Sequence, residues 1–541
     1  MPGWLSELLP ISILLVVVAL VLARLPKVKE VEHSAAFRRR RVLNWLPLGL
    51  AYAFLYMGRY NLKVSQHVFE QMTNADGQQL MTNAGFATIF GVGTAVYGIS
   101  FLLNGPLTDR FGGRKAILTG MGGAAAANGL MALTMVIFQR GGPMADSVGR
   151  NFLLLFSILY AANMYFQSFG AVAIVKVNAP WFHLRERGVF GAIFGILIAL
   201  GIYFAFDWSY KIISFFGQDP HLEQASSRLT WVFAAPATIL AALWVVVGIW
   251  VKNTPGDAGH EDFDTADASS EEQGKNLGAG QVIKLMLRNP VVMTIASVEF
   301  CNGFLRQAIM QWYPTFAKHT NGELGHMDGF VFKNWGLLLC IAGIVGGMVA
   351  GVISDHLFQS RRGPVVSILY GGMIVGSIVL FFAYQTSMVG WIAVLMSVLV
   401  IGVHGMLSGT ASMDFGGKKN VGIVVGIIDG FVYAGTAMMA LTYGLLLPDE
   451  QLNEAGKIVG PSTQASNWFA WPAAMIPFAI VGSCWRCGSG MPSHNRRRRR
   501  CPDVRILKIG AAKASKHWGG DTRSRTQGWL RAQRKPMWVR R

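Results

Sequence analysis

Charged residues are scarce in this sequence. They make up 14% of its 541 residues, against roughly 25% in an average soluble domain, whereas 52% of the residues are hydrophobic. Runs of about 20 apolar residues, the length that crosses the hydrocarbon core of a bilayer, recur from residue 42 onward between short polar stretches. Twelve such spans can be counted, with one more at the front. The composition excludes a soluble globule and predicts an all-α membrane protein.

Cysteine is also rare, and the residue patterns of catalytic sites are missing. The five cysteines are scattered, and Cys484 and Cys487 form a CxxC pair with no second pair at zinc spacing. The sequence contains no pattern typical of a catalytic triad, a metal cluster or a nucleotide-binding loop. We therefore predict no enzyme activity, no metal site and no cofactor.

The formal net charge of +19 is concentrated in the tail. Residues 485–541 contain 13 Arg and 4 Lys against two Asp, which gives +15 and leaves +4 for the rest of the chain. The last span breaks into this tail after about 16 residues, short of the roughly 20 expected. We interpret the tail as a disordered product of a reading-frame shift near residue 483, and predict no nucleic-acid partner. A native tail that binds a membrane surface or nucleic acid is the alternative.

The spans divide the chain into one extra helix and two sets of six. Residues 1–41 hold the extra span and a basic link, residues 42–251 and 286–484 hold six spans each, and residues 252–285 form an acidic cytoplasmic linker. Basic loops stay in the cytoplasm, and every short basic loop here agrees with one orientation. We predict a monomeric, multi-pass protein of the cell (inner) membrane, with its amino terminus outside and its tail in the cytoplasm.

The two halves share an internal repeat of span, arginine, span and then a basic loop with an aspartate. Arg59 stands 50 residues before Asp109, and Arg306 stands 49 residues before Asp355. Transporters built from such repeats hold their substrate near the middle of the membrane, between the repeats. The repeat therefore predicts two six-helix halves around a central cavity.

Arg59 and Arg306 both lie inside apolar spans. An arginine at the centre of a membrane helix costs about 2.5 to 3.5 kcal/mol on insertion scales, so two at matching positions predict an anionic partner. Planar guanidiniums suit the oxygens of a phosphate dianion, which makes a small organic phosphate the expected substrate. A structural ion pair between Arg306 and Glu299, which lies on the same helix face, is the alternative.

Other polar residues near the arginines complete the expected site. Lys63 lies one turn after Arg59, where it extends the positive lining or reaches the outer surface. Tyr56, Tyr60 and Tyr313 can supply hydroxyl donors, with packing or anchoring at the membrane interface as the alternative. Glu299, His404 and Asp429 are polar groups within spans, and they form a proton relay, an ion pair or a helix–helix hydrogen bond.

Two loops carry a more specific pattern. The sequence GPLTDRFGGRK at 105–115 joins the second and third of the twelve spans, and GVISDHLFQSRRG at 351–363 takes the matching place in the other half. The first resembles the signature loop of the major facilitator superfamily. That resemblance implies the two-half fold and a gate that closes the cytoplasmic side. Simple retention of positive charge inside is the alternative. The implied gating residues are Asp109, Arg110, Arg114, Asp355 and Arg362.

Five passages between residues 50 and 440 resemble the organophosphate:phosphate antiporter family. They are LYMGRYNL, FLRQAIMQWYPTF, PWFHLRERG, KNTPGDAG and KKNVGIVVGIIDGFVYAGT. The resemblance implies that Arg59 and Arg306 bind the phosphoryl group, and that inorganic phosphate is exchanged for glycerol phosphate or a sugar phosphate by rocking about the site. Some family members are sugar-phosphate sensors, so a receptor stays open as an alternative. So does a proton-coupled symporter of another organic anion.

Overall fold

The computed structural model describes residues 34–183, 187–214, 222–265, 279–353, 357–358, 362–453 and 458–484, together with Ser12. The rest of the predicted extra span and the basic tail at 485–541 lie outside these residues. Among the described residues, twelve main helices follow one another in the order expected for twelve spans. Most have mean hydropathies typical of membrane helices. The chain is thus an all-α membrane protein, as its composition predicts.

The helices are numbered α1 to α12 in chain order. Their bounds are α1 Ala35–Gln71, α2 Asn83–Phe111, α3 Gly113–Arg140, α4 Phe152–Asn178, α5 Arg187–Tyr203, α6 Leu222–Trp250, α7 Pro290–His319, α8 Trp335–Val352, α9 Arg362–Ala383, α10 Val389–His404, α11 Ser412–Leu446 and α12 Met475–Cys484. Short helices at Pro143–Arg150, Ser209–Ser214, Ala279–Arg288, Asn321–Leu324, Phe330–Lys333 and Ala470–Ala473 lie between them. The two-residue strands β1 Gln451–Leu452 and β2 Ile458–Val459 pair antiparallel after α11.

Two of the long helices are less apolar than the others, and they are the two that carry the arginines. By length and composition, eight helices of the described chain could cross a membrane on their own, namely α2 to α6 and α9 to α11. The 37-residue α1 and the 30-residue α7 are not among them. Each buries at least two charged side chains, so each depends on its neighbours to shield polar groups from lipid.

Two helices are interrupted next to polar side chains. A π-helical turn at Phe204–Trp208 follows α5, and another at Gly405–Ala411 joins α10 to α11. Such turns shift the side chains that follow and are frequent at functional sites. The first turn stacks Phe206 on Tyr60, and the second lets the Ser408 hydroxyl donate to Asp429.

Glycines let α11 pack directly on the backbones of α2 and α7. A Cβ atom on Gly105 would lie 2.5 Å from the carbonyl oxygen of Gly422, and one on Gly435 would overlap the carbonyl oxygen of Phe300. Small residues permit this close approach of membrane helices. Because α2 belongs to the first half and α7 to the second, α11 holds the two halves against each other.

The segment predicted as a linker is folded at both of its ends. The backbone N–H of Lys252 donates to Asn44, and Phe37 contacts the rings of His260 and Phe263. At the other end, residues 279–288 form an amphipathic helix whose Val282 is buried. The apolar residues that anchor the segment, such as Phe263 and Val282, are few among many acidic and small residues. The sequence pattern alone therefore predicts a flexible linker.

We expect Gly435→Ala to destabilise the protein, because its methyl group would overlap the α7 backbone. Overpacking of this kind costs about 1 to 3 kcal/mol. The matched control is Gly347→Ala, since nothing lies within 4 Å of a Cβ atom at Gly347. Thermal unfolding of the purified proteins in detergent should show a lower midpoint for Gly435→Ala only. Equal midpoints would mean that the two backbones are not in contact.

Candidate functional site

Arg59 lies near the middle of α1 and is buried by tyrosines from three helices. Its Nη1 donates to the hydroxyl of Tyr433 at 2.7 Å, its Nη2 to Tyr97 at 2.6 Å and its Nε to the side-chain oxygen of Gln167 at 3.0 Å. The guanidinium carbon also lies 4.5 Å from the ring centre of Tyr56. No acid is paired with this cation among the described residues. Neutral hydroxyls and ring faces hold it in place, so its positive charge is not neutralised.

Arg306 lies at the matching place in α7 and is also buried, with 6% of its surface exposed. Within the described chain, its Nε and Nη2 have no hydrogen-bond partner. A buried donor without a partner is costly, and a charged one more so. Glu299 influences the guanidinium electrostatically but makes no hydrogen bond to it in the described structure. Arg306 therefore offers a ligand two donor nitrogens that lack partners among the described residues.

Two tyrosines lie near both arginines. Tyr56 and Tyr433 are within electrostatic range of both guanidiniums. The hydroxyl of Tyr60 accepts a hydrogen bond from Gln307 at 2.8 Å, one residue after Arg306. The structure thus brings the expected Tyr56 and Tyr60 into the arginine cluster, with their rings 5.8 Å apart.

Three residues of the cluster were missed by reasoning from sequence. They are Tyr97 of α2, Gln167 of α4 and Tyr433 of α11, all of which accept a hydrogen bond from Arg59. The sequence signal for these residues is a polar side chain inside an apolar span. That signal is weak for tyrosine, because many tyrosines in spans serve only in packing. Only the arrangement of the helices separates these from the rest.

Tyr313 and Lys63 lie away from the arginine guanidiniums. The ring of Tyr313 packs on Trp335 with centres 4.5 Å apart, and its hydroxyl lies beside Gly390. In the described chain that hydroxyl bonds to neither arginine. The ammonium of Lys63 donates to Gln66 at 2.6 Å and to Thr315 of α7. Lys63 lies about one turn after Arg59 in α1, and Tyr313 lies about two turns after Arg306 in α7.

A second polar cluster lies beside Arg306. The Nδ1 of His404 is 3.0 Å from Glu299 Oε2, which also accepts from Asn302 at 3.2 Å. Asp429 accepts from Ser408 and is within electrostatic range of His404, Glu299 and Arg306. The three residues predicted as a relay or ion pair are therefore brought together. Glu299 is turned toward His404 and is not the hydrogen-bonded partner of Arg306.

One end of the bundle, called here the basic end, is closed around Asp109. Lys176 donates to its carboxylate at 2.7 Å, and the backbone N–H groups of Gly422 and Ile423 donate to it at 3.3 and 3.1 Å. Asp109 of the first half thus contacts α11 of the second. The side chain of Arg110 is exposed, and that of Arg114 bonds to the carbonyl oxygen of Gly248.

The cation at Asp109 is therefore Lys176 and not one of the expected arginines. The physical reason is helical direction: the α2 turn that ends at Phe111 points Arg110 outward, while Lys176 reaches across from α4. Of the repeat-related pair, Asp355 lies outside the described residues. For Arg362, only its place at the start of α9 is described.

The opposite end, called here the far end, is closed by contacts between α1 and α7. Besides Lys63 and Thr315, Glu70 lies 3.2 Å from the Nε2 of His319. Glu450, after α11, accepts from the backbone N–H of Asn83 at 2.8 Å. Burial raises the pKa of Glu450 to about 9, so this acid is neutral near pH 7. The arginine cluster thus lies between two closed ends.

The arrangement presents donors and positive charge to which a small anion can bind. Within the residues described, no group of three or more His, Cys, Asp or Glu side chains is placed to hold a metal ion. In the described chain, Tyr56, Tyr97 and Tyr433 contact Arg59, and Tyr60 accepts from the residue next to Arg306.

The chain is similar to several known proteins along most of its length. The family model described as Major Facilitator Superfamily matches residues 48–440. A glycerol-3-phosphate transporter of Bacillus subtilis (strain 168) is 24% identical over 439 residues, 77% of this chain and 88% of that one. The membrane sensor protein UhpC of Escherichia coli (strain K12) is 23% identical, over 76% of this chain and 86% of that one. A phosphoglycerate transporter protein of Salmonella typhimurium (strain LT2) is 23% identical, over 78% of this chain and 86% of that one.

A solved structure shares the fold. It is the crystal structure of a bacterial homologue of the human lysosomal transporter Spinster, inward-facing and unoccupied, with a TM-score of 0.58 at 11% identity. The likeness covers 84% of this chain and 97% of that one. Together with the family model, it agrees with the predicted fold of two six-helix halves. The chain belongs to the major facilitator superfamily, and it is a multi-pass membrane transporter and not an enzyme.

Proposed function

We propose that this protein carries an organic phosphate, either glycerol phosphate or a sugar phosphate, across the cytoplasmic membrane in exchange for inorganic phosphate. One observation carries the proposal. Arg306 is buried in the middle of the bundle, and within the described chain its Nε and Nη2 lack partners. An anion with two oxygens facing Nε and Nη2 would accept from both donors and would balance the positive charge of the guanidinium.

Phosphate fits this site better than other anions. A guanidinium presents parallel N–H groups that pair with two oxygens of one phosphoryl group. Arg59 is held by Tyr97, Tyr433 and Gln167, so it is oriented before any ligand arrives. Together the two arginines carry two positive charges, which matches a dianion. Tyr56 and Tyr60 would donate to the remaining oxygens.

Exchange follows from the cost of an empty site. Alternating access requires the site at the arginines to open first to one face of the membrane and then to the other, through a state closed at both ends. An unpaired arginine at membrane depth costs about 2.5 to 3.5 kcal/mol on insertion scales, and a bound anion offsets much of that cost. The return step therefore also needs an anion, which inorganic phosphate supplies.

The two closed ends would open in turn. At the basic end, Asp109 joins Lys176 to the backbone of α11. At the far end, Lys63 and Glu70 join α1 to Thr315 and His319 of α7. We infer that the halves rock about the arginines, with one set of contacts broken at a time. In the proposed orientation the basic end faces the cytoplasm.

The named relatives support the substrate class and leave a second candidate. One is named a glycerol-3-phosphate transporter and another a phosphoglycerate transporter. A third is named a membrane sensor protein, at almost the same identity. A sensor would bind the same anion at the same arginines without moving it. Flux therefore has to be measured separately from binding.

Reconstitution into phosphate-loaded vesicles tests the proposal. We expect external glycerol phosphate or a hexose phosphate to drive efflux of labelled phosphate. After phosphate is released outside, binding of the organic phosphate lets the site open to the inside again. Nitrate and uncharged sugars should drive none. Binding without flux would favour the sensor. Uptake that collapses with a protonophore and ignores internal phosphate would favour proton coupling through Glu299, His404 or Asp429.

Arg59→Lys and Arg306→Lys should each weaken phosphate binding roughly ten- to a hundredfold, because lysine keeps the charge but loses the planar fork. Hydrogen bonds to charged groups are worth about 1.5 to 3 kcal/mol. The control is Arg150→Lys, an exposed arginine 3.0 Å from Asp76, which should change nothing. Equilibrium binding of labelled phosphate to the purified variants gives the answer. Unchanged affinity in both arginine variants would remove them from the site.

Asp109→Asn and Lys176→Met should each slow exchange with little change in KM, because both act at the basic end and neither contacts the arginines. Since they share one ion pair, the double variant should lose little more than either single one. Initial rates over a range of substrate concentrations in vesicles measure both quantities. Additive losses would show that the pair is not one functional unit.

A further inference from the structure

One face of α7 carries buried polar atoms that lack partners. Glu299, Asn302 and Arg306 follow one another at spacings of three and four residues, so their side chains lie on the same face of the helix. Glu299 and Asn302 are fully buried, and so is most of Arg306. Within the described chain, Glu299 Oε1, Asn302 Oδ1 and the Nε and Nη2 of Arg306 make no hydrogen bond. Buried polar atoms left over at one place point to a ligand or to ordered water.

Hydrogen bonds determine which atoms of Glu299 and Asn302 are left over. The Nδ2 of Asn302 donates to Glu299 Oε2 at 3.2 Å, and an ionised carboxylate can only accept, so this bond fixes the orientation of the amide. The same Oε2 lies 3.0 Å from the Nδ1 of His404. Both leftover atoms are therefore acceptors, and two acceptors cannot satisfy each other. A ligand that bonds to them has to supply donors.

The two acceptors precede the donors of Arg306 along the helix. At a rise of 1.5 Å per residue, Asn302 lies about 6 Å and Glu299 about 10 Å before Arg306. A ligand whose phosphoryl group binds Arg306, and which extends toward the start of α7, would place its organic part at these acceptors. Inorganic phosphate is too short to reach both. A hexose phosphate spreads several hydroxyl groups over that distance, whereas glycerol phosphate holds its two hydroxyls close to the phosphoryl group.

The charge beside the acceptors disfavours an acidic organic part. Glu299 is one acid, and Asp429 is a second that lies within electrostatic range of both Glu299 and Arg306. A second acid group on the ligand would meet these two like charges, which is costly in a buried site. A hydroxyl group can donate to Glu299 without adding negative charge. The surroundings therefore fit an organic part that is uncharged and rich in hydroxyls.

We propose that Glu299 and Asn302 form a hydroxyl-binding subsite, which selects a hexose phosphate over glycerol phosphate and over phosphorylated carboxylic acids. Glu299 Oε1 and Asn302 Oδ1 accept from hydroxyl groups of the sugar, while Arg306 binds the phosphoryl group. His404 positions Glu299 by bonding to Oε2, which leaves Oε1 for the ligand. The subsite rests on the proposed function for the phosphoryl group at Arg306.

Displacement of labelled inorganic phosphate from the purified full-length protein tests the subsite. The competitors are glucose phosphorylated at its primary hydroxyl, its deoxy analogues that each lack a single hydroxyl, glycerol phosphate and phosphoglycerate. We expect glucose phosphate to bind about tenfold or more tightly than glycerol phosphate. At least one deoxy analogue should lose about the same factor, because a site that hydrogen-bonds a hydroxyl rejects the analogue without it.

Two variants assign the effect to the acceptors. Asn302→Leu should weaken binding of glucose phosphate about tenfold more than binding of inorganic phosphate, because it removes an acceptor for the sugar. The deoxy analogue that binds poorly to the unaltered protein should then bind as well as glucose phosphate. Glu299→Gln should reduce the discrimination against phosphoglycerate, because it removes a like charge. Asn178→Leu at the end of α4 is the matched control, since Asn178 is also buried and its Oδ1 lacks a partner in the described chain.

The outcomes separate the subsite from the proposed function. Equal affinities for glucose phosphate, its deoxy analogues and glycerol phosphate would overturn the subsite and assign the two acceptors to water. The proposed function would still stand if Arg306→Lys weakened phosphate binding. Sugar-phosphate binding that Asn302→Leu weakens but Arg306→Lys does not would support the subsite and contradict the role of Arg306. Should Asn302→Leu fail to fold, the unaltered protein decides, since a full set of deoxy analogues that bind as tightly as glucose phosphate contradicts the proposal.

Discussion

Two buried guanidiniums to which no acid is hydrogen-bonded among the described residues are the constraint on which the rest of the structure depends. Charge at that depth is costly unless something compensates it. Around Arg59 the compensation is built from Tyr97, Tyr433 and Gln167, each on a different helix. Around Arg306 part of it is missing in the described chain. The two arginines therefore differ: Arg59 is oriented by its hydrogen bonds, whereas Arg306 has N–H groups with which a ligand can bond.

The packing of the helices serves this constraint. Glycines of α2, α7 and α11 let three backbones approach closely, so Tyr97 and Tyr433 reach Arg59 from two directions with their rings 4.1 Å apart. The same closeness brings Gly422 and Ile423 to Asp109 at the basic end. A change in the angle between the halves would therefore alter the end contacts and the surroundings of the arginines together. The contacts of α11 with α2 and α7 therefore couple the packing of the halves to the surroundings of the arginines.

Reasoning from sequence predicted the fold correctly, and it singled out two arginines that the structure buries, for physical reasons. Long apolar runs and basic loops follow from the bilayer, and an arginine inside a span is rare enough to notice. It missed Lys176 as the partner of Asp109, because the neighbouring Arg110 and Arg114 were equally good by charge, and only helix direction separates them. It also placed Tyr313 in the site, whereas the ring packs on Trp335. Partners that come from helices distant in sequence cannot be read from a pattern along one helix.

The most direct measurement of the central claim is an experimental structure of the protein with an organic phosphate bound. The account predicts phosphoryl oxygens about 2.7 to 2.9 Å from Nε and Nη2 of Arg306, the usual length of a charged hydrogen bond, with Arg59 on the opposite side of the ligand. Glu299 should stay with His404. A ligand bound elsewhere, with Arg306 paired to Glu299, would contradict the account.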